Sequence, residues 1–374
     1  MTIVSVVGCD TYELAMVRRA VAAALAPLGG IERFVRPGMR VLLKPNLLLA
    51  NGVEHAVTTH PRVVQAVAEL ARTAGAEEVW IGDSPGGPVA HTPQVWHGAG
   101  MVAVAEQTGA RMVPFDGVMW KRLNGADYFI ARPIFEADLV INLPKLKTHS
   151  LTLYTGAVKN LFGAIPGTRK RDVHCRALGL PDFSRALVDV LDLVRPGLTV
   201  LDGVVGQEGN GPGMGGTPRP YGVLAASTDG VALDALVAQA LGYRTGEVLH
   251  LAQAEARGLG LADPARIELE GNRRALDLGS VRLPMARRFV RYIPSSVGRL
   301  VYQATRLRPR LAASACVGCG DCVAVCPPQA ITPGHPPRFD LERCVGCMCC
   351  AEVCPQGAIE PVQSLLGRLL GLGG

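Results

Sequence analysis

Eight cysteines near the C-terminal end of the chain have the spacing of metal ligands. They form two runs of one pattern, Cys-x2-Cys-x2-Cys-x3-Cys-Pro. An iron–sulfur cubane needs four thiolates that converge on it, and a tight loop with this spacing supplies three of them. The pattern therefore predicts two [4Fe-4S] clusters. The first run is Cys316, Cys319, Cys322 and Cys326, and the second is Cys344, Cys347, Cys350 and Cys354.

In bacterial two-cluster ferredoxins, which have this pattern, the fourth cysteine of each run ligates the other cluster. Four disulfides would instead require an exported chain, and zinc ribbons lack the third cysteine and the Cys-Pro ending. Cys349 could replace Cys350 as a ligand, but the regular spacing favours Cys350. We expect one ligand set to be Cys316, Cys319, Cys322 and Cys354, and the other to be Cys326, Cys344, Cys347 and Cys350.

The composition predicts a cytoplasmic protein with one large and one small domain. The chain has 374 residues, 48% of them hydrophobic, and no stretch has the length of a transmembrane helix. Cys9 and Cys175 are isolated, as expected of reduced thiols. The pair Arg18-Arg19 is similar to a twin-arginine export signal, but Glu13 precedes it and the segment has the pattern of a strand followed by an amphipathic helix.

Strand-like and helix-like stretches alternate through most of the chain. The predicted strands are residues 2–7, 39–45, 78–82, 138–143 and 198–201, and the predicted helices are residues 13–28, 61–75 and 229–241. Continuous apolar strands separated by helices are typical of an α/β fold, with a mostly parallel sheet covered by helices on both faces. Such sheets bind ligands at the carboxyl ends of their strands.

Polar residues follow these strands and predict a cationic pocket. Four lysines and two histidines are expected at one rim of the sheet, where they would suit a carboxylate or a phosphate. The alternative is a solvated basic face, but these lysines follow apolar strands and glycine turns. Lys159 lies in an apolar stretch, where burial would lower its pKa. The predicted substrate-binding residues are Lys44, Asn46, Asp83, Lys145, Lys147, Asn160 and Glu208, and the predicted catalytic residues are His149, Lys159 and His174.

A second glycine-rich stretch covers residues 206–216. It matches neither a Walker loop nor a dinucleotide-binding fingerprint. We expect a flexible lid or lining of the pocket, with Glu208 as its one ionisable group. Further along the chain, Asp229 is predicted to cap a helix and Asp234 to be structural.

Several motifs together resemble the domain-of-unknown-function family 362. They are Lys-Pro-Asn-Leu at 44–47, Gly-Asp-Ser-Pro at 82–85, Leu-Pro-Lys-Leu-Lys-Thr-His at 143–149, residues 155–163, Glu-Gly-x-Gly-Pro at 208–212 and Asp-x-Val-Ala-x-Asp at 229–234. The match covers roughly residues 35–245 together with the ferredoxin segment. Members of this family are often fused to a C-terminal two-cluster ferredoxin. The resemblance implies a cytoplasmic iron–sulfur protein, commonly from anaerobic metabolism.

A fainter resemblance is to the nickel-pincer lactate racemase family. His149, Lys159 and His174 are similar to that family in order and spacing. The resemblance implies a histidine in acid–base work, a lysine that anchors a nickel-bearing pyridinium cofactor, and a second histidine on nickel. Residues 82–85 depart from it, because that family has a histidine in this stretch. Racemase activity is therefore not expected, and an additional cofactor in the α/β domain stays open.

The segment 282–310 contains eight arginines and no acidic residue. It could be a linker helix with arginines in solvent, a surface that docks an acidic redox partner or the anionic clusters, or a peripheral contact with an anionic membrane. No nucleic-acid recognition fold accompanies the charge, so nucleic-acid binding is not expected.

These patterns divide the chain into an α/β domain (1–280), a basic linker helix (281–311), a ferredoxin domain (312–362) and a tail (363–374). The favoured function is an iron–sulfur oxidoreductase, in which two clusters exchange electrons with a redox partner protein and pass them to a small anionic substrate in the pocket. The alternative is an electron carrier or assembly protein whose α/β domain docks a partner. A nickel-pincer-type enzyme is the remote alternative. The strand-end polar residues favour the enzyme, because a docking module needs no pocket.

Overall fold

The computed structural model describes residues 2–50, 52–86, 91–167, 169–177, 179–284 and 308–362. Most of the predicted basic linker helix and the whole C-terminal tail lie outside these ranges, as does the side chain of Cys175. No helix in the described ranges has both the length and the apolar character needed to cross a bilayer.

Strands and helices alternate along the described chain. The strands are β1 (Ile3–Gly8), β2 (Arg40–Pro45), β3 (Glu78–Ile81), β4 (Arg111–Met112), β5 (Val118–Leu123), β6 (Ala126–Ala131), β7 (Leu139–Leu143), β8 (Lys145–His149), β9 (Leu153–Thr155), β10 (Leu198–Gly209), β11 (Gly216–Ser227), β12 (Glu268–Gly271), β13 (Arg308–Leu311), β14 (Ile331–Thr332), β15 (Arg338–Phe339) and β16 (Ile359–Val362). The helices are α1 (Leu14–Leu25), α2 (Pro61–Thr73), α3 (Thr92–Gly98), α4 (Met101–Thr108), α5 (Pro133–Glu136), α6 (Ala157–Asn160), α7 (Arg169–Arg176), α8 (Leu180–Val194), α9 (Gly230–Ala240), α10 (Leu249–Ala256), α11 (Asp321–Val325) and α12 (Cys349–Glu352).

The large domain is built on a sheet of ten strands in which most neighbours are parallel. Its order is β12-β1-β11-β10-β7-β2-β3-β4, and β8 and β9 extend it beside β10. β11 runs antiparallel to both of its neighbours, whereas β10, β7, β2, β3 and β4 are parallel. The predicted fold class, a mostly parallel α/β sheet, is therefore confirmed.

Helices cover both faces of this sheet, as predicted. In β2, Val41 and Leu43 belong to the core beneath α1 and α2, whereas Leu42 belongs to the core beneath α8 and α9. Because successive side chains of a strand point to opposite faces, a strand buried on both sides is apolar throughout. Because β7, β2 and β3 are parallel neighbours, their carboxyl ends lie side by side. The polar segments that follow these strands are therefore close together.

The segment 206–216 is not a flexible lid, although its Pro212 does line the cavity described below, as the alternative expectation had it. β10 continues to Gly209 and β11 begins at Gly216, so the segment forms the end of a long hairpin. At Gly206 a Cβ atom would overlap the carbonyl oxygen of Leu146 and lie 2.9 Å from the ring of Tyr221. Glycine is required there because the hairpin packs closely against β8, and not because the backbone moves.

The small C-terminal unit has the short strands and helices of a ferredoxin. β13 pairs antiparallel with β16, β14 pairs with β15, and α11 and α12 lie between them in the sequence. β13 lies in the segment assigned above to the linker, so this unit includes residues 308–311.

Candidate functional site

The eight predicted cluster ligands line two separate cavities in the small unit. Their grouping agrees with the expectation from the repeated pattern. Backbone N–H groups of Ala330 and Ala358 donate to Sγ of Cys326 and Cys354 at 3.1 and 3.2 Å, an arrangement that supports ligating thiolates. Four converging sulfurs in each cavity fit a [4Fe-4S] cluster. The sets are Cys316, Cys319, Cys322 and Cys354 in one cavity, and Cys326, Cys344, Cys347 and Cys350 in the other.

Cys349 takes a different position from Cys350. Cys350 lines the cavity of the second cysteine set, whereas Cys349 lines a cavity between the small unit and the α/β domain. The geometry therefore favours Cys350 as the cluster ligand, in agreement with the spacing.

This interdomain cavity has a volume of about 100 Å³. A water needs about 10–15 Å³ in the same measure, so the cavity has room for several waters or one small anion. It lies at the carboxyl ends of β2 and β3, the place expected for a ligand in such a sheet. Its charged and imidazole side chains from the α/β domain are Asp83, Lys147, Lys159, Lys170, Arg171 and His174.

The small unit closes the cavity from the opposite side. Cys349 and Glu352 of α12 line it, and the next residue, Val353, packs against Leu49 and Val57 of the α/β domain. At the tip of the β10–β11 hairpin, a Cβ atom on Gly213 would lie 2.7 Å from the carbonyl oxygen of Glu352. The cavity therefore depends on close contact between the two domains.

Lys44 holds the rim of the sheet together and does not line the cavity. Its Nζ forms a buried ion pair with Asp83 Oδ1 at 2.7 Å and donates to the carbonyl of Asn160 at 2.6 Å. Asp83 Oδ2 accepts from Leu47 N at 2.8 Å. These bonds tie the segments after β2 and β3 to α6, and they leave Asn46, Asp83 and Asn160 on the cavity wall.

Lys145 and Glu208, both predicted to bind substrate, lie in ion pairs away from the cavity. Lys145 Nζ is 2.8 Å from Asp202 Oδ2 and donates to the hydroxyl of Tyr12 at 2.8 Å. Glu208 pairs with Arg219 at 2.8 Å and with Arg282 at 2.7 Å. Their positions indicate structural roles along the β10–β11 hairpin.

Three lysines line the cavity, and none of them pairs directly with a carboxylate among the described residues. Lys147 Nζ donates to the carbonyl of Val57 at 2.7 Å, and Lys170 donates to oxygens of Ser84 and Pro85. Lys159 donates no hydrogen bond to any described residue. Burial lowers the pKa of all three ammonium groups, and that of Lys170 to about 7. An anion bound in the cavity would supply the negative charge that these three ammonium groups lack as a partner.

His149 lies next to the carboxylate of Glu352 from the small unit. Its Nδ1 accepts from the backbone N–H groups of Leu151 and Thr152 at 2.9 and 3.3 Å, which fixes the neutral ring with its proton on Nε2. Nε2 lies 3.1 Å from Glu352 Oε1, although it is not aligned for a hydrogen bond. Burial and the charge of Lys159 lower the pKa of His149 to about 4.

Glu352 is the acidic group that the small unit contributes to this cavity. Burial raises its pKa, but the charge of Lys159 and the proximity of His149 outweigh burial and lower it to about 2. A carboxylate on α12 thus faces lysine charge from the α/β domain.

His174 lies on the cavity wall beside the cysteines of α12. Its ring stacks on Phe183 with centroids 4.5 Å apart and meets the edge of Phe162 at 5.5 Å. Burial lowers its pKa to about 4, so the ring is neutral at pH 7. A neutral imidazole is a poor proton donor, so the lysine ammonium groups of the cavity are the better acids.

Asp234 fixes the start of the helix that carries Lys159. Its carboxylate accepts from the N–H groups of Ala157 and Val158 at 2.7 and 2.9 Å and from the hydroxyl of Tyr154 at 3.0 Å. These bonds anchor the first turn of α6, which carries Lys159. Asp234 is therefore structural, as predicted, and Asp229 caps α9 through Val231 and Ala232.

Four polar or charged residues that were not predicted from the sequence also line the cavity. They are Ser84, Lys170, Arg171 and Glu352. Lys170 and Arg171 belong to a basic run before His174, a signal that usually marks a solvated surface. Glu352 lies between two cluster cysteines, and nothing in its local pattern indicates that it faces another domain.

The fold and these cavities define an α/β protein fused to a small iron–sulfur domain. Residues 41–239 match the family described as "Domain of unknown function (DUF362)", and residues 315–358 match the "4Fe-4S dicluster domain". The chain belongs to the DUF362 family and carries a C-terminal 4Fe-4S domain, which confirms both predicted assignments.

One relative is the thylakoid-associated protein sll1697 of Synechocystis sp., which is 38% identical over 271 residues, covering 71% of this chain and 82% of the relative. Among solved structures, the lactate racemase apoprotein of Thermoanaerobacterium thermosaccharolyticum gives a TM-score of 0.36 at 14% identity, covering 53% of this chain and 50% of that one. A Thermotoga maritima protein also gives 0.36, at 11% identity, covering 68% of this chain and 60% of that one. Structural similarity at this level supports no inference about function.

Proposed function

We propose that this protein is an iron–sulfur oxidoreductase that reduces a small anionic substrate in the interdomain cavity. The observation that carries the proposal is the position of the three lysines of the cavity. They face α12, the helix that holds the cluster ligand Cys350, and they lack carboxylate partners of their own. An anion bound there would lie beside the cysteines of the second set.

The side chains of the cavity have distinct roles in this proposal. Lys147, Lys159, Lys170 and Arg171 bind the anionic group, and Asn160 orients it. Lys159, with its lowered pKa, donates a proton to the reduced product. The negative charge of Glu352 favours the charged form of that ammonium. When bound, the two [4Fe-4S] clusters would supply the electrons.

Electrons would come from a redox partner protein in the cytoplasm. The first cysteine set lies at the surface of the small unit, where Cys319 is exposed and Val317 is 57% exposed. This exposed edge suits docking of a partner, and it also supports the alternative of an electron carrier. The two functions differ in whether the interdomain cavity binds a ligand.

The deciding experiment combines composition, binding and turnover under anaerobic conditions. We expect about eight irons per chain, which is two cubanes. Oxalate, as a small dianion, should bind to the holoprotein in calorimetry. The dithionite-reduced protein should be reoxidised by at least one member of a panel of reducible small carboxylates. If oxalate does not bind and the whole panel leaves the protein reduced, the carrier function replaces the enzyme.

The two adjacent cysteines of α12 give a test of the second cluster. Cys350→Ser should lose about four of eight irons, because it removes one ligand of four. Cys349→Ser should keep all of them, because Cys349 faces the interdomain cavity. Iron and sulfide analysis after anaerobic purification measures both variants. The reverse outcome, with iron lost only from the Cys349 variant, would assign the cluster to Cys349.

Oxalate binding should weaken as pH rises through the range where Lys170 loses its charge. Burial lowers the pKa of Lys170 to about 7, so its positive charge is present below that pH and is lost above it. We expect the Kd for oxalate to rise several-fold between about pH 6 and about pH 9. Lys170→Met should remove the part of this change centred near pH 7 and should bind weakly throughout. An unchanged pH profile in the variant would assign the titration to another group.

A further inference from the structure

A third group of ligand atoms lies between the cluster cysteines and the interdomain cavity. It consists of His174, Cys347 and Cys349, whose ligating atoms all lie within 4.8 Å of one another. His174 comes from the α/β domain, and the two cysteines come from the small unit. Cys347 also lines the cavity of the second cysteine set, whereas His174 and Cys349 line the interdomain cavity.

The donors in this group suit a thiophilic metal ion. Two sulfurs and one imidazole nitrogen are ligands for Zn²⁺ and for Fe²⁺ or Ni²⁺, and they do not suit Mg²⁺ or Ca²⁺. Metal–sulfur bonds of about 2.3 Å in a tetrahedral site place donors about 3.8 Å apart, so the group needs to contract by about 1 Å. The stacking on Phe183, with ring centroids 4.5 Å apart, already holds the imidazole of His174 in position.

The Cys349 side chain hydrogen-bonds to that of Cys347, which brings the two sulfurs together. The second cysteine set is complete without it, because Cys350 takes the fourth place. A cysteine used only for packing would face apolar neighbours, but Cys349 lines a cavity with Lys159 and Glu352. Its neighbours thus include another metal-ligating type, the carboxylate of Glu352.

We propose that His174, Cys347 and Cys349 bind one divalent first-row metal ion, with the thiolate of Cys347 shared between this ion and the second cluster. The fourth position of the ion faces the interdomain cavity, on the side of Glu352. An ion with an open position can polarise the oxygen of a bound anion, as catalytic metal sites with three protein ligands do. The inference goes beyond the proposed function and does not depend on it.

Cobalt binding to the intact protein tests this site. The cluster-loaded full chain, freed of loosely bound metal with a mild chelator, is titrated anaerobically with Co²⁺. We expect one tightly bound Co²⁺ per chain, with thiolate-to-cobalt charge transfer and the strong visible bands of a tetrahedral ion. Cys349→Ser and His174→Phe should each weaken binding by at least about tenfold, with iron content unchanged. Cys9→Ser, which alters a buried thiol elsewhere, is the matched control and should bind as the wild type does.

The shared thiolate gives a second readout. Paramagnetic Co²⁺ one sulfur away should broaden the electron paramagnetic resonance signal of the dithionite-reduced cluster, and His174→Phe should abolish that broadening. His174 is not a predicted cluster ligand. The His174→Phe variant therefore tests the third metal site even if Cys349→Ser loses iron. Failure to bind Co²⁺, binding that survives both substitutions, or binding that leaves the signal unbroadened would each overturn the proposal.

Discussion

Lys159→Met should reduce the rate at which small carboxylates reoxidise the reduced protein by about a hundredfold or more, with iron and sulfide unchanged. Removing a general acid typically costs about 10²–10⁴ in rate, and a hydrogen bond to a charged group contributes about 1.5–3 kcal/mol to binding. Lys159 would supply both effects. It faces the cavity, has a lowered pKa and donates no hydrogen bond to any residue that the structure describes.

Two further variants separate these effects. Lys159→Arg keeps the positive charge, but a guanidinium holds its proton far more tightly than an ammonium with a lowered pKa, so oxalate binding should recover while turnover stays low. Lys121→Met removes a lysine from the distant β5–β6 hairpin, where its ammonium lies 4.7 Å from the ring of Phe135, and it should behave as the wild type does. Unchanged turnover in Lys159→Met would remove this lysine from the mechanism.

Asp202→Ala should lower the free energy of unfolding of the α/β domain by about 3–5 kcal/mol, because it leaves a buried cation without its partner. Asp202 is completely buried and accepts from Lys145 Nζ, the hydroxyl of Tyr12 and the N–H of His60, each at 2.8 Å. Its loss would strand the ammonium of Lys145, whose side chain is only 2% exposed.

Chemical denaturation followed by tryptophan fluorescence measures this effect in the relevant domain, since all three tryptophans, Trp80, Trp96 and Trp120, belong to it. Arg266→Ala breaks an exposed pair with Glu255 in the same domain and should cost less than about 1 kcal/mol. The double variant Asp202→Ala/Lys145→Met should recover part of the loss, because no charge then remains buried. A single variant that unfolds like the wild type would show that water reaches Lys145.

The strands, and the grouping of the cysteines around two cavities, could be predicted because their signals are local. The apolar run of β2 reflects burial on both faces of the sheet, and the cysteine spacing reflects the size of a cubane. The polar segments after β2 and β3 also converge as expected, because parallel strands end at one edge of the sheet. Asn46 and Asp83 consequently lie on one cavity wall.

The partners of the lysines could not be predicted, because they depend on contacts between distant segments. Lys44, Lys145 and Lys147 all lie on strands of the sheet, yet Asp83 and Asp202 neutralise the first two while Lys147 meets only a carbonyl. That Glu352 lines the cavity could not be predicted either, because this position depends on how one domain docks on the other. Periodicity reports which face of an element is buried, but not which residue of another domain covers it.

The shared wall of the interdomain cavity would link the maturation of the protein to its chemistry. α12 supplies Cys349 and Glu352 to that wall, and the predicted cluster ligands Cys350 and Cys354 lie in this helix or just after it. Under the proposed function, a newly made chain without iron would lack the ligand bonds that fix the helix, and oxidative loss of the second cluster would release it again. Cluster assembly would then act as a checkpoint, since only a chain with its clusters would hold the anion firmly.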